Sequence, residues 1–321
     1  MSDFLYPAPP WRWSERKALL RHWLRDPVAG LADQGLHHLM RLLPTDRVSA
    51  IGVHLGRRAG AKRPEASARA AALLRQLRPE ADDAEIARLV AAHWAHVGRC
   101  FAEFSVLHRL RPEGRISFAG LEHLRGAQAA NRPLIIAGLH VGYWEVVHVG
   151  LAALDVPFHA IYQRLPNRFR MRIADAARNR SRAQAGPQAS AAVPPTLGAV
   201  FEAQRLLQSR EAALLYYVDE FWEGRVHAPA LGRRLQMKGN IMRAVRLASG
   251  SGAAVIPAYA ERLGEAARYR LTFLPEVPMG PPNRGRAAIL EDIAALDQVL
   301  EGVVRAHPEQ WFMLHAFKPE S

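Results

Sequence analysis

Leu134-Ile135-Ile136-Ala137-Gly138-Leu139-His140-Val141-Gly142-Tyr143-Trp144-Glu145 is the stretch that decides the fold. Its opening apolar run reads as a strand over residues 134–138, of the kind buried on both faces of a parallel sheet. Val146-Val147-His148-Val149 continues it as a buried helix. A histidine and a carboxylate, His140 and Glu145, therefore fall where a strand gives way to the next element. In open α/β sheets ligands bind at that carboxyl edge. A His that takes a proton, with a carboxylate to fix its tautomer, is the minimum set for activating a hydroxyl.

The surrounding sequence extends the same reading. Short β-rich runs at 116–118, 158–162, 213–218, 253–258 and 269–274 alternate with helical patterns at 121–130, 144–154, 168–182, 197–208 and 241–249. Such alternation predicts an α/β fold with a mainly parallel central sheet flanked by helices. A last helix is expected over 286–306. Ahead of residue 113 the apolar spacing is helical throughout, over 16–24, 28–43, 47–58, 66–77 and 83–107, with Asp82-Asp83-Ala84-Glu85 suited to a helix N-terminus. The expected organisation is a helical N-terminal region, 1–112, and an α/β core, 113–321, forming one continuous unit.

Lys and Arg outnumber Asp and Glu by 43 to 30, giving a net charge of +13. That balance favours anionic partners such as nucleic acid, a phosphate-rich membrane surface or an acidic carrier protein. No nucleic-acid-binding motif is present. The single cysteine, Cys100, excludes an intrachain disulfide and reads as a packing residue. No secretory signal opens the chain, and no run approaches the roughly 20 apolar residues that span a bilayer. Near the N-terminus, Trp11, Trp13, Trp23 and Leu24 interleave with Arg12, Arg16, Lys17, Arg21 and Arg25. That mixture suits either a helix in a membrane interface or one packed on the domain with a basic outer face.

Several further segments, in order, carry a resemblance. They are Gly120-Leu121-Glu122-His123-Leu124, the H-x-G-x-W-E of His140 to Glu145, Ile161-Tyr162-Gln163-Arg164 with Asn167, and a strand ending in Asp219. Ala228-Pro229-Ala230-Leu231-Gly232, Gly239-Asn240, Pro308-Glu309-Gln310-Trp311 and Phe317-Lys318 follow. From residue 120 to 319 this order resembles the bacterial lipid A biosynthesis (lauroyl/myristoyl) acyltransferases, relatives of the glycerolipid acyltransferases. The resemblance implies transfer of a fatty acyl group from an acyl-carrier-protein or CoA thioester to a hydroxyl of an amphipathic lipid. His140 would be general base and Glu145 its orienting carboxylate. No metal or other cofactor is implied, and the expected place is the cytoplasmic face of a bacterial inner membrane, bound peripherally.

The remaining candidates follow from charge and position. Seven arginines against one acid, Asp175, between residues 164 and 182 suit an acidic carrier protein or phosphate headgroups. Arg164 stands out, just past a strand on the active edge. Arg233, Arg234 and Lys238 precede Gly239-Asn240, where a helix N-terminus suits a phosphate. Asp219, at a strand end, is either a site residue or a turn cap. Backbone N–H groups near Gly142 or Gly239, or an Arg, are the candidate donors to a developing oxyanion. Two alternatives compete: a thioester hydrolase, although no G-x-S-x-G elbow is present, and a non-catalytic basic binder of anionic membrane or nucleic acid.

Overall fold

A computed structural model describes residues 19–161, 167–183, 192–193, 199–282 and 284–319. The helical N-terminal part contains α1 (Asp26–Met40), continuous with a π-turn at Arg21–Arg25, then α2 (Thr45–Ala61), α3 (Pro64–Leu77) and α4 (Asp83–Glu103). Asp82 caps α4, its carboxylate accepting from Glu85 N–H at 2.7 Å. α4 stops at Glu103 and tightens into a 3₁₀ turn, Phe104–Arg109, where the sequence suggested one helix to residue 107. α2 and α4 approach unusually closely, because Gly52 and Gly56 of α2 face Gly98 of α4. A Cβ on Gly98 would stand 2.0 Å from the Gly52 carbonyl oxygen.

The core alternates as expected: β1 (Ile116–Ala119), α5 (Leu121–Ala129), β2 (Leu134–Gly142), α6 (Glu145–Ala153), β3 (Phe158–Ile161) and α7 (Arg168–Ala183). After β4 (Ala192–Val193) come α8 (Ala199–Ser209) and β5 (Ala213–Tyr217). A separate small hairpin, β6 (Phe221–Trp222) and β7 (Arg225–Val226), precedes α9 (Gly239–Ser251), β8 (Ala254–Arg262), β9 (Tyr269–Phe273) and α10 (Arg286–Ala306). The sheet order is β1-β9-β8-β2-β5-β3-β4. All neighbours run parallel except β8 and β9, which form an antiparallel pair. That pair, the hairpin and β4 are the departures from a simple succession of βαβ units.

β2 lies at the centre and is longer than its apolar run suggested, reaching Gly142 with a register shift against β8 between Gly138 and Gly142. Its alternate residues feed two cores. Ile135, Ala137, Leu139 and Val141 join the layer of α3, α8, α9 and α10. Ile136 joins the opposite layer, with Val146 and Val147 of α6 and Tyr217 of β5. Period-two alternation places His140 on this second side. Among the described residues no helix is long and apolar enough to cross a membrane.

Candidate functional site

His140 occupies the carboxyl end of β2, and Asp219 follows the end of the adjacent β5. Parallel pairing of Gly138 with Tyr217 brings the two residues together across 79 positions of sequence. The fully buried Asp219 carboxylate accepts three hydrogen bonds: from the His140 backbone N–H (2.9 Å to Oδ2), from His140 Nδ1–H (2.8 Å to Oδ1) and from the Trp311 indole N–H (2.9 Å to Oδ2). A carboxylate on Nδ1 fixes the tautomer and leaves Nε2 as the acceptor. The side chain of His140 stays 18% exposed while that of Asp219 is closed off. Three aromatic rings surround the imidazole, Tyr217 at 4.5 Å, Trp144 at 5.5 Å and Phe312 at 6.4 Å between centroids.

The partner of the ring is thus Asp219, where the sequence reading placed Glu145. Glu145 opens α6 and is fully buried, but its carboxylate receives Arg178 of α7 through Nη2 (2.6 Å) and Nε (3.0 Å), and the Trp144 indole N–H at 3.2 Å. Burial pushes the Glu145 carboxyl up, and the Arg178 guanidinium outweighs it, so its pKa is lowered to about 2. The spacing misled because an i, i+5 pair at a strand-to-helix junction straddles the turn. One side chain leaves the strand and the other enters the helix.

The rest of the segment is pinned from four directions. His140 C=O accepts from Phe312 N–H at 2.8 Å, and Tyr143 N–H donates to Ala260 C=O at 2.9 Å. Tyr217 Oη–H donates to the Trp144 carbonyl at 2.7 Å. Gly142 takes φ +65°, and a Cβ there would lie 1.9 Å from the Ala260 oxygen, so only glycine fits. Its carbonyl accepts from His96 Nε2–H of α4 at 2.9 Å. Burial lowers the pKa of His96 to about 3, which keeps it a neutral donor.

The P-E-Q-W segment closes the site from behind. Trp311 reaches Asp219, and Gln310 Oε1 accepts from Arg262 N–H at 2.8 Å. The Glu309 carbonyl accepts from His93 Nδ1–H (3.2 Å), and His93 Nε2 meets His315 Nδ1 at 3.0 Å. Cys100 is buried beside this layer, and burial raises its thiol pKa far above the ordinary range.

The other sequence candidates separate. Arg164 lies outside the described residues. Arg233 is 8% exposed, and its guanidinium is spent on the carbonyls of Val226, Pro229, Ala230 and Lys318 and on the face of Phe317. It clamps the chain, which corrects its reading as a substrate-facing cation. Lys238 is exposed at the N-cap of α9. Beside it, Gly239 has φ +78°, and the Asn240 N–H that a phosphate would use is taken by Glu220 Oε1 at 2.7 Å. Burial raises the pKa of Glu220 to about 7. Glu220 was not among the sequence candidates, and Asn240 entered only within the Gly239-Asn240 segment; Asn240 also accepts from the Tyr216 hydroxyl and donates to the Tyr217 carbonyl, both at 2.8 Å. Among the described residues no three His, Cys, Asp or Glu side chains converge as a metal-binding group.

Comparison with individual curated proteins finds no match. A family model, described as bacterial lipid A biosynthesis acyltransferase, matches residues 24–318. That span takes in the base of the sheet, the His140–Asp219 pair and the C-terminal segment that closes on it. The chain belongs to the bacterial lipid A biosynthesis acyltransferase family.

Proposed function

We propose that this protein transfers a fatty acyl group from an acyl-carrier-protein or CoA thioester to a hydroxyl of an amphipathic lipid acceptor, with His140 as general base. The observation that carries the proposal is the hydrogen bond from His140 Nδ1–H to the buried Asp219 carboxylate. It orients the ring and leaves Nε2 free to take a proton. As the acceptor oxygen bonds to the thioester carbonyl carbon, its proton passes to Nε2. The C–S bond then breaks, and the same proton neutralises the departing thiolate. Asp219 stabilises the imidazolium formed between these steps. General-base assistance of this kind contributes about 10²–10⁴-fold. The Gly142 N–H is our candidate donor to the oxyanion.

Peripheral attachment at the cytoplasmic face of a bacterial inner membrane belongs to the same reading. It is supported by the exposed side chains of Leu20, Trp23, Leu24, Leu31, Leu39 and Leu42 along the first helical segment. Arg170 and Arg172 are exposed on α7, which packs against α1, and suit an acidic carrier protein or lipid phosphates. The test is incubation of purified protein with acyl carrier protein bearing a labelled acyl chain, with and without bacterial membrane lipid, followed by mass spectrometry. A lipid heavier by one acyl chain is expected with wild type and not with His140→Ala. Equal product from His140→Ala, or free fatty acid released equally with and without lipid, would overturn the proposal.

A further inference from the structure

The β6–β7 hairpin leaves the sheet two residues after Asp219, so Phe221 begins within about 7 Å of backbone from the carboxylate that holds His140. Among the described residues it forms a two-stranded sheet of its own, Phe221 opposite Val226 and Trp222 opposite Arg225. Its two-residue connection, Glu223-Gly224, has φ +51° and +75°, the left-handed geometry of a tight hairpin turn. This short, stiff projection carries two large exposed side chains, Phe221 at 43% and Trp222 at 39%.

A second apolar group stands at the same edge. α8 leads into β5 and runs against it, so the start of α8 lies at the carboxyl edge of the sheet, where Phe201 is 76% exposed. The cations are close by. α9 also begins at this edge, with Lys238 exposed at its N-cap, Arg243 5.5 Å from the Trp222 ring, and Arg246 exposed about two turns beyond the N-cap. Glu202 and Glu223 are exposed acids in the same neighbourhood. Aromatic side chains over a cationic base match the lipid–water interface, where rings settle at headgroup depth and Lys and Arg meet anionic phosphates.

The geometry points to the β6–β7 hairpin, with Phe201 at the same edge, as a lip that inserts into an anionic lipid bilayer and sets the carboxyl edge of the sheet against the membrane. This surface deepens the reading of the protein as an acyltransferase with a lipid acceptor, and rests on it. Its consequence is positional: a hydroxyl at headgroup depth reaches the His140 edge without its lipid leaving the bilayer. The hairpin is then the contact that orients the site, and the apolar face of the first helical segment is a tether.

The experiment is flotation of the full chain with vesicles of phosphatidylglycerol and phosphatidylethanolamine. The double variant Phe221→Ser, Trp222→Ser should lower the vesicle-bound to free ratio by about tenfold or more, as expected for withdrawing two aromatic side chains from an apolar medium. Leu55→Ser, at an exposed leucine of α2, outside the hairpin and α8, should leave the ratio unchanged. In wild type, brominated lipid should quench a share of the tryptophan emission that Trp222→Phe removes. Wild-type partitioning by the double variant, an equal loss in Leu55→Ser, or quenching unaltered by Trp222→Phe would overturn the inference. His140→Ala should float as wild type does. Loss of transfer chemistry and loss of docking are therefore separate readouts, and either reading can fail alone.

Discussion

Replacing Glu145 with Ala, alone and together with Arg178→Met, tests whether this carboxylate holds the architecture of the site or the imidazole. Glu145 has no solvent exposure and receives two guanidinium hydrogen bonds, at 2.6 and 3.0 Å, plus one indole bond at 3.2 Å. Removing one member of such a buried pair costs about 3–5 kcal/mol. The lowered acidity gives a second route. A fall from 4.5 to about 2 corresponds to about 3 kcal/mol at neutral pH, at about 1.4 kcal/mol per unit. Since the folded-state value is depressed, this stability is present above pH 4.5 and is lost as pH falls through about 2. Urea denaturation followed by circular dichroism at pH 7 should show Glu145→Ala destabilised by about 3–5 kcal/mol. The double variant should lose less than the sum of the single losses by about 2–3 kcal/mol. A cost below about 1 kcal/mol, or strict additivity, refutes the ion pair as a structural tie between α6 and α7.

Asp219→Asn is the complementary case: at saturating substrate, kcat of the folded variant should drop by about 10³–10⁴-fold, and a drop smaller than tenfold would remove Asp219 from the orienting role. Glu220, its pKa raised to about 7, contributes stability that is full below pH 4.5 and declines as pH rises through 7. Glu220→Gln should flatten that decline in thermal melts and make the protein about 1–3 kcal/mol more stable than wild type at pH 8; an unchanged pH slope would contradict it. Gly98→Ala should cost about 3 kcal/mol or more by chemical denaturation, because its Cβ meets the Gly52 oxygen at 2.0 Å and the Gly56 Cα at 2.6 Å; a neutral outcome would mean the α2–α4 contact yields easily.

The central strand, the helical front of the chain and the edge that bears His140 were legible because each is written locally. Apolar runs and three-to-four spacing need only a window of neighbours. The identity of the imidazole's partner was not legible, because it depends on which strands adjoin. Asp219 meets His140 only through the parallel register of β2 with β5, a pairing set by the whole sheet. The spacing of His140 and Glu145 was visible and the pairing of Glu145 with Arg178 was not, since α7 had first to be packed against α6. Arg233 looked like a surface cation by composition, yet five residues from two stretches of chain, 226–230 and 317–318, converge on its guanidinium. Gly52, Gly56 and Gly98 carry no side-chain signal at all. Their meaning is the distance they permit between two helices. The terminal Pro308-Glu309-Gln310-Trp311 segment stood out in sequence, and its physical content is the indole N–H on Asp219 and the Gln310 side chain on β8.

That indole bond also bears on the order in which the surroundings of Asp219 are assembled during synthesis. Chains are made from the N-terminus, and domains fold as their parts emerge. β2 and β5, whose pairing brings His140 to Asp219, are both synthesised before residues 311 and 312. The third ligand of the carboxylate, and the aromatic wall supplied by Phe312, arrive only with residues 311 and 312. The order of synthesis therefore makes the indole bond and the Phe312 ring later additions around the His140–Asp219 pair, after both strands that carry the pair have been made.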